Sequence, residues 1–452
     1  MKKLAYEKPI INKISAGVPD KFGMSSTIQP ITEIDKVSVT DLVEEYGSPL
    51  YVLSEKTIRN TYNNAVNAFK TRYDKVQFAW SYKTNYLNAV CNIYHQEGSW
   101  AEVVSGFEYE KAIANGVPGN KIIFNGPDKS IDDLTLAIKN ESLIHIDHQD
   151  EFYDIKLITK KIGKKAKVAI RVNMDTGIYP KWVRFGFNLE NGEAWAILNK
   201  IMVDDGFELV GLHTHIGTYI MDANAYGVAA TKLSQLAVRI QHKYNHNIKY
   251  IDLGGGFASK NTLKGAYLPG SDTCPTFDDY AEAITNALEQ SDIQYEHMPL
   301  LILETGRALI DDAGSLIGSA LANKRLPDGR RSLVINIGVN MLFTSFWYEH
   351  QIAPAQLSSS HMEDTIIYGP LCMNIDVIRE AIKFPEVEKG KHVVISRIGA
   401  YNMTQWMQFI TYRPKIVMID LDGNTHVVRE NENHETMNAL DRTPEHLKDF
   451  NL

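Results

Sequence analysis

Cysteine is scarce in this sequence. Only Cys91, Cys274 and Cys372 occur among 452 residues, too few and too scattered for a disulfide framework or a zinc cluster. No basic stripe is visible and the formal net charge is -8, which argues against a nucleic-acid surface. The first nine residues, Met1-Lys2-Lys3-Leu4-Ala5-Tyr6-Glu7-Lys8-Pro9, hold no apolar core of a secretory signal. No apolar run reaches the length of a membrane span. The chain is therefore expected to be soluble, reduced and cytoplasmic, with no nucleic-acid or membrane partner. What it does hold is 44% hydrophobic and 23% charged residues, an ordinary globular mixture. Its length favours two domains.

From residue 76 onward, short apolar runs alternate with longer amphipathic stretches. The runs cover 76–82, 100–104, 121–124, 143–147, 167–172, 208–215, 249–253 and 299–304. Each is largely unalternating, as strands buried on both faces should be. Helix-like segments lie between them. One is 107–114, stopped by Asn115-Gly116 and Pro118; another is 278–288, entered through Thr276 with Asp279 three residues on. Eight strand–helix units in series predict a (β/α)8 barrel of the TIM type. After Arg307 the rhythm changes. Strands are expected at 332–336, 365–368, 392–396 and 415–420, with one helix at 376–382. The expected organisation is an N-terminal extension over 1–45 packing with the β domain, a barrel over 46–307, and a mostly β domain over 308–452.

Reactive residues of such a barrel belong at the carboxyl ends of its strands. Strand one ends in Lys83, strand six in His213-Thr214-His215, strand seven in Gly254-Gly255-Gly256, and strand eight in Glu304-Thr305-Gly306-Arg307. Taken singly, Lys83 is an ordinary solvated strand end and the glycines an ordinary tight turn. Together they suggest more. A buried lysine has a depressed pKa and becomes a usable amine nucleophile. Side-chain-free backbone lets several N–H groups approach a phosphate. His213 and His215 sit two apart and would share one face of a strand, so a metal-dependent barrel hydrolase is one alternative.

With these residues assembled, the chain resembles fold-type III pyridoxal-phosphate decarboxylases, in particular the diaminopimelate decarboxylase-like branch, related to ornithine decarboxylase and alanine racemase. The resemblance runs from about Gly47 to Tyr412. It rests on Tyr46-Gly47-Ser48-Pro49-Leu50-Tyr51-Val52, Tyr82-Lys83-Thr84-Asn85, Glu102-Val103-Val104-Ser105-Gly106-Phe107-Glu108, His213-Thr214-His215-Ile216-Gly217-Thr218, the glycine triplet after Asp252-Leu253, Glu304-Thr305-Gly306-Arg307, Gly369-Pro370-Leu371-Cys372, Asp376 and Gly399-Ala400-Tyr401.

The resemblance implies pyridoxal 5'-phosphate as cofactor, held on Lys83 with His215 stacked on its ring. Thr218, Gly254, Gly255, Gly256, Gly306 and Tyr401 would hold the phosphate, and Arg307 the phosphate or a substrate carboxylate. Glu304 would face the pyridine nitrogen and keep it protonated, which suits decarboxylation of an amino acid at its α-carbon better than racemisation. Cys372 would enter from a partner subunit as a proton donor, which implies a homodimer with shared active sites. Catalysis would thus fall to Lys83, Cys372, Glu304 and His215. Two departures bear on the substrate. Met373 stands where the family carries an acidic residue for a distal amine, and Thr344 where diaminopimelate enzymes carry an arginine for the distal carboxylate. Tyr348 matches the family tyrosine, and Glu349 beside it could receive a cationic tail. Arg307, Tyr348, Glu349, Met373 and Tyr401 are therefore the expected substrate contacts, and the expected substrate is an amino acid other than diaminopimelate. Authentic meso-diaminopimelate decarboxylation, an amino-acid racemase, a non-catalytic regulator and the metal hydrolase are the alternatives.

Overall fold

A computed structural model describes residues 28–356 and 361–448. Eight parallel strands close a barrel: Val76–Ser81, Trp100–Val103, Ile122–Phe124, Leu143–Ile146, Ala166–Asn173, Phe207–His213, Tyr250–Asp252 and Leu300–Leu303. Each pairs with its successor, and Leu301 against Val76 closes the ring. All eight expected runs form strands, because in a closed parallel barrel both faces of every strand are buried. Inside, Ala79, Ile123, Leu143, Ala169, Val210, Tyr250 and Ile302 pack on one another. Outside, the strands pack on helices whose starts the sequence encodes. Ser105 caps Gly106–Ala114, and Thr276 with Asp279 forms a capping box at Phe277–Glu289.

The second domain is built on a nine-stranded sheet around the twelve-residue strand Gly314–Arg325. Leu50–Ser54 pairs antiparallel with this strand and parallel with Ile416–Ile419. The barrel therefore does not begin at residue 46 as expected. The run Leu-Tyr-Val-Leu-Ser is buried throughout and fills a gap in the second sheet before the chain enters the barrel. Ahead of it, helix Val39–Tyr46 places Val39 and Leu42 against Leu50, Val52, Ile317 and Val417. The rest of the expected extension, 1–27, lies outside the described residues.

The expected helix over 376–382 is a strand, Val377–Phe384, paired antiparallel with Glu363–Tyr368. Asp376, which could have capped a helix, instead accepts the N–H groups of Val339 at 2.8 Å and Leu371 at 2.7 Å. Among the described residues no helix is long and apolar enough to cross a membrane.

Candidate active site

The carboxyl ends of the barrel strands open on a cavity of about 300 Å³. Lys83 lies in a single 3₁₀ turn, Tyr82–Thr84, directly after the first strand. Its Nζ donates to both carboxylate oxygens of Glu102, at 2.8 and 2.6 Å. Glu102 sits on the second strand and also accepts from Ser81 Oγ at 2.6 Å and Asn125 Nδ2 at 3.1 Å. Burial pulls Lys83 toward its neutral form, but Glu102, Tyr401 and Glu304 outweigh burial and hold its pKa above the ordinary lysine value. The expected depression of the lysine pKa is thus corrected, because the expectation counted burial and omitted the counter-ion.

Glu304 closes the floor of the cavity. Asn125 Nδ2 donates to its Oε1 at 2.6 Å, while His213 Nε2 lies 3.5 Å from Oε2 and His145 Nδ1 3.9 Å from Oε1. Burial and the adjacent Glu304 push the Asp252 carboxyl well above the usual carboxylate range. Burial likewise drives His145, His213 and His215 well below the usual imidazole value, so all three are neutral at pH 7. For His215 the next largest cause is Arg171, a buried guanidinium on the fifth strand.

His215 lies just beyond the sixth strand. Its Nδ1 accepts the Gly255 N–H at 3.2 Å, and the Trp182 ring meets it edge-on at 5.3 Å. His215 is not among the side chains close enough to share an ion with His213 in a set of three. Among the described residues, the one set of three side chains close enough to share an ion is His145, His213 and Glu304.

The glycine triplet makes its tight turn at a real steric limit. Gly256 has φ +104°, and a Cβ there would collide with the Gly217 carbonyl oxygen. Gly255 and Gly256 line the cavity, as do Thr218, Gly306 and Arg307, while Gly254 lies behind them and donates to Asp252 Oδ1 at 2.8 Å. Among the described residues, Arg307 Nη1 has no hydrogen-bond partner. The guanidinium lies over the rings of Tyr401 and Tyr348, at 4.6 and 5.0 Å. Tyr401 is the second domain's contribution to the cavity wall, held at φ +65° with its N–H on Thr84 O at 2.8 Å.

The remaining sequence candidates lie elsewhere. Cys372 is exposed and absent from the cavity wall of its own chain. Met373 is partly buried against the core. Glu349 pairs with Arg379 at 3.1 Å and is absent from the cavity wall of its own chain. Thr344 is buried, with its hydroxyl 2.8 Å from both Asn402 Oδ1 and His350 Nε2. Asn125, Arg171, Trp182 and Phe185 line the cavity and were missed. Asn125 and Arg171 stand at or near strand ends, where the same positional rule would have found them.

The donor set fits pyridoxal 5'-phosphate. It offers an amine and a carboxylate on either side of one amide, a neutral imidazole, and a guanidinium with unused hydrogen-bonding capacity beside side-chain-free backbone.

Comparison with known proteins agrees. The family profile described as pyridoxal-dependent decarboxylase, pyridoxal binding domain, matches residues 57–311. Diaminopimelate decarboxylase of Methanocaldococcus jannaschii is 30% identical over 432 residues, covering 92% of this chain and 95% of the relative. That of Bacillus subtilis is 28% identical, covering 90% and 94%. The crystal structure of the M. jannaschii enzyme with L-lysine superposes with a TM-score of 0.84 at 29% identity, over 92% of this chain and 96% of that one. Lysine/ornithine decarboxylase of Vibrio vulnificus, with a TM-score of 0.72 at 20% identity over 85% and 98%, shares the fold. The chain belongs to the pyridoxal-dependent decarboxylase family, as a pyridoxal-phosphate-dependent amino-acid decarboxylase of the diaminopimelate decarboxylase type.

Proposed function

We propose that the chain removes the α-carboxylate of an amino acid whose far end differs from the second amino-acid head of diaminopimelate. One observation carries this reading: the positions expected to hold the two distal charges are Thr344, whose hydroxyl is spent on Asn402 and His350, and Met373. A charge-assisted hydrogen bond contributes about 1.5–3 kcal/mol, so the absence of two such contacts weakens diaminopimelate binding by about a hundredfold or more. The relatives, named as diaminopimelate decarboxylases, favour a second reading, meso-diaminopimelate itself.

Bound pyridoxal phosphate supplies the electron sink for loss of carbon dioxide. Lys83 would hold it, and the free Lys83 amine sits on Glu102. His215, fixed by Gly255 and Trp182, covers the ring face. Glu304 keeps a proton on the ring nitrogen, which favours decarboxylation over racemisation. Gly255, Gly256, Gly306, Thr218 and Tyr401 hold the phosphate, with Arg307 beside them. Cys372 Sγ of a second copy returns the proton to the α-carbon, so the active unit is a homodimer. Its exposure in the single chain supports that placement.

The test is carbon dioxide release from meso-diaminopimelate by cofactor-loaded protein, with Lys83→Ala as the blank. Rapid Lys83-dependent release establishes the second reading and refutes the first. A yellow, cofactor-loaded protein that releases none supports the first.

A further inference from the structure

One side chain reaches both carboxylates of the cavity. Asn125 Nδ2 donates to Glu304 Oε1 at 2.6 Å and to Glu102 Oε1 at 3.1 Å. A primary amide nitrogen has two hydrogens, so both bonds are made at once, and they keep two like charges within about 6 Å of each other. Only 4% of Asn125 is exposed. Its backbone is pinned as well: its N–H donates to Val103 O at 2.8 Å. The next residue, Gly126, has φ +97° and no room for a Cβ beneath Val104. The Gly126 carbonyl accepts from Lys129 Nζ at 2.6 Å, itself paired with Glu151 at 2.7 Å in full burial. A side chain fixed this firmly is built to position others.

We propose that Asn125 is a positioning residue that joins the carboxylate holding free Lys83 to the carboxylate facing the ring nitrogen, so that a change of charge at Lys83 is felt at the ring. This rests on the cofactor placement proposed above. The physical reason is that Asn125 draws negative charge from Glu304. Without that donor, Glu304 becomes the stronger acceptor and pulls the shared ring proton toward itself.

The experiment loads the protein with cofactor labelled with ¹⁵N in the ring and records the ring-nitrogen chemical shift. Glu304→Gln provides the reference for a ring that has lost its carboxylate. Asn125→Ala is expected to move the signal part of the way toward the unprotonated value. Asn125→Ser, which restores one hydrogen of the two, should fall between Asn125→Ala and wild type. Glu102→Gln should shift the signal in the wild-type background and not in Asn125→Ala, the non-additivity that marks a physical link. A purely structural role would lower melting temperature and cofactor content and leave the signal of the bound fraction in place. An unmoved signal in Asn125→Ala, or additive shifts in the double variant, overturns the inference while leaving the cofactor placement intact. Borohydride reduction that labels a residue other than Lys83 overturns the placement, and the inference with it.

Discussion

Glu102→Gln is the most revealing single change, because three donors converge on that carboxylate: Lys83 Nζ, Ser81 Oγ and Asn125 Nδ2. Glutamine offers one acceptor oxygen and no charge, and its NH₂ faces the Lys83 ammonium and the Asn125 NH₂, which can only give hydrogens. Opposite unit charges about 4 Å apart attract by about 4 kcal/mol at an effective dielectric near 20. The Lys83 side chain is 40% exposed to the cavity, so solvent screening cuts this toward the value of about 1 kcal/mol or less for open surface pairs. A loss of about 1–3 kcal/mol is the consequence, which lowers the Lys83 pKa by about one to two units.

The assay mixes cofactor-free protein with pyridoxal phosphate across a pH series and follows growth of the visible band, which requires the neutral amine. The pH midpoint should fall by one to two units in Glu102→Gln. Stability carries its own sign. The folded-state pKa of Lys83 lies above its ordinary value, so the stabilisation is fully present below the ordinary lysine value and is lost as pH climbs through the raised one. The variant should therefore melt below wild type at pH 7, and the gap should narrow only in alkali. A midpoint that stays in place or rises refutes the assignment of Glu102 as the counter-ion of Lys83.

Three other outcomes follow from the geometry. Asp311 is buried, accepts from Ser259, Asn261 and the Ala400 N–H, and is pushed up to about 6 by burial. Its folded value lies above its unfolded value, so its contribution to stability is complete below pH 4 and fades as pH rises through 6. The stability of wild type relative to Asp311→Asn should drop by about 3 kcal/mol between pH 4 and pH 7, and a flat difference would sink the argument. Gly256→Ala meets both a positive φ and the Gly217 carbonyl. It should cost roughly 1–3 kcal/mol of backbone strain and much of the bound cofactor, read as melting temperature and visible absorbance. Mixing inactive Lys83→Ala and Cys372→Ala proteins should regenerate activity if one site draws on two copies; if it stays at the blank, the shared site is wrong.

What the sequence disclosed follows from how burial is distributed. In the barrel the strands are buried on both faces and largely apolar, so a run such as Val76–Ser81 announces itself without context. The second sheet gives no such signal. Gly314–Arg325, its longest strand, reads Gly-Ser-Leu-Ile-Gly-Ser-Ala-Leu-Ala-Asn-Lys-Arg, small residues and glycines that locally suggest a loop, and only its pairing with the next strand and with two from distant parts of the chain makes it central. Val377–Phe384 misled for the converse reason: Arg379, Glu380 and Lys383 suit an exposed helix as well as an edge strand, and only its pairing with Glu363–Tyr368 decides between them.

The same contrast divides the site. Residues within dense motifs, Lys83, His215, the glycine triplet, Glu304 and Arg307, were legible because the chemistry of each is supported by its neighbours in sequence. Glu102 was read only as part of a pattern, and Asn125 and Arg171 were not read at all, because their meaning lies across the barrel and not along the chain. A closed parallel barrel brings the carboxyl ends of all its strands to one rim. Applied to strands two, three and five as strictly as to one, six, seven and eight, that rule points to these three side chains before any contact is known. They turn out to be the groups that pair with the lysine, hold the carboxylate at the cavity floor and add to the burial that lowers the histidine pKa. In this fold the order of motifs points to the cofactor, while the spacing of strand ends points to the residues that complete the cavity wall.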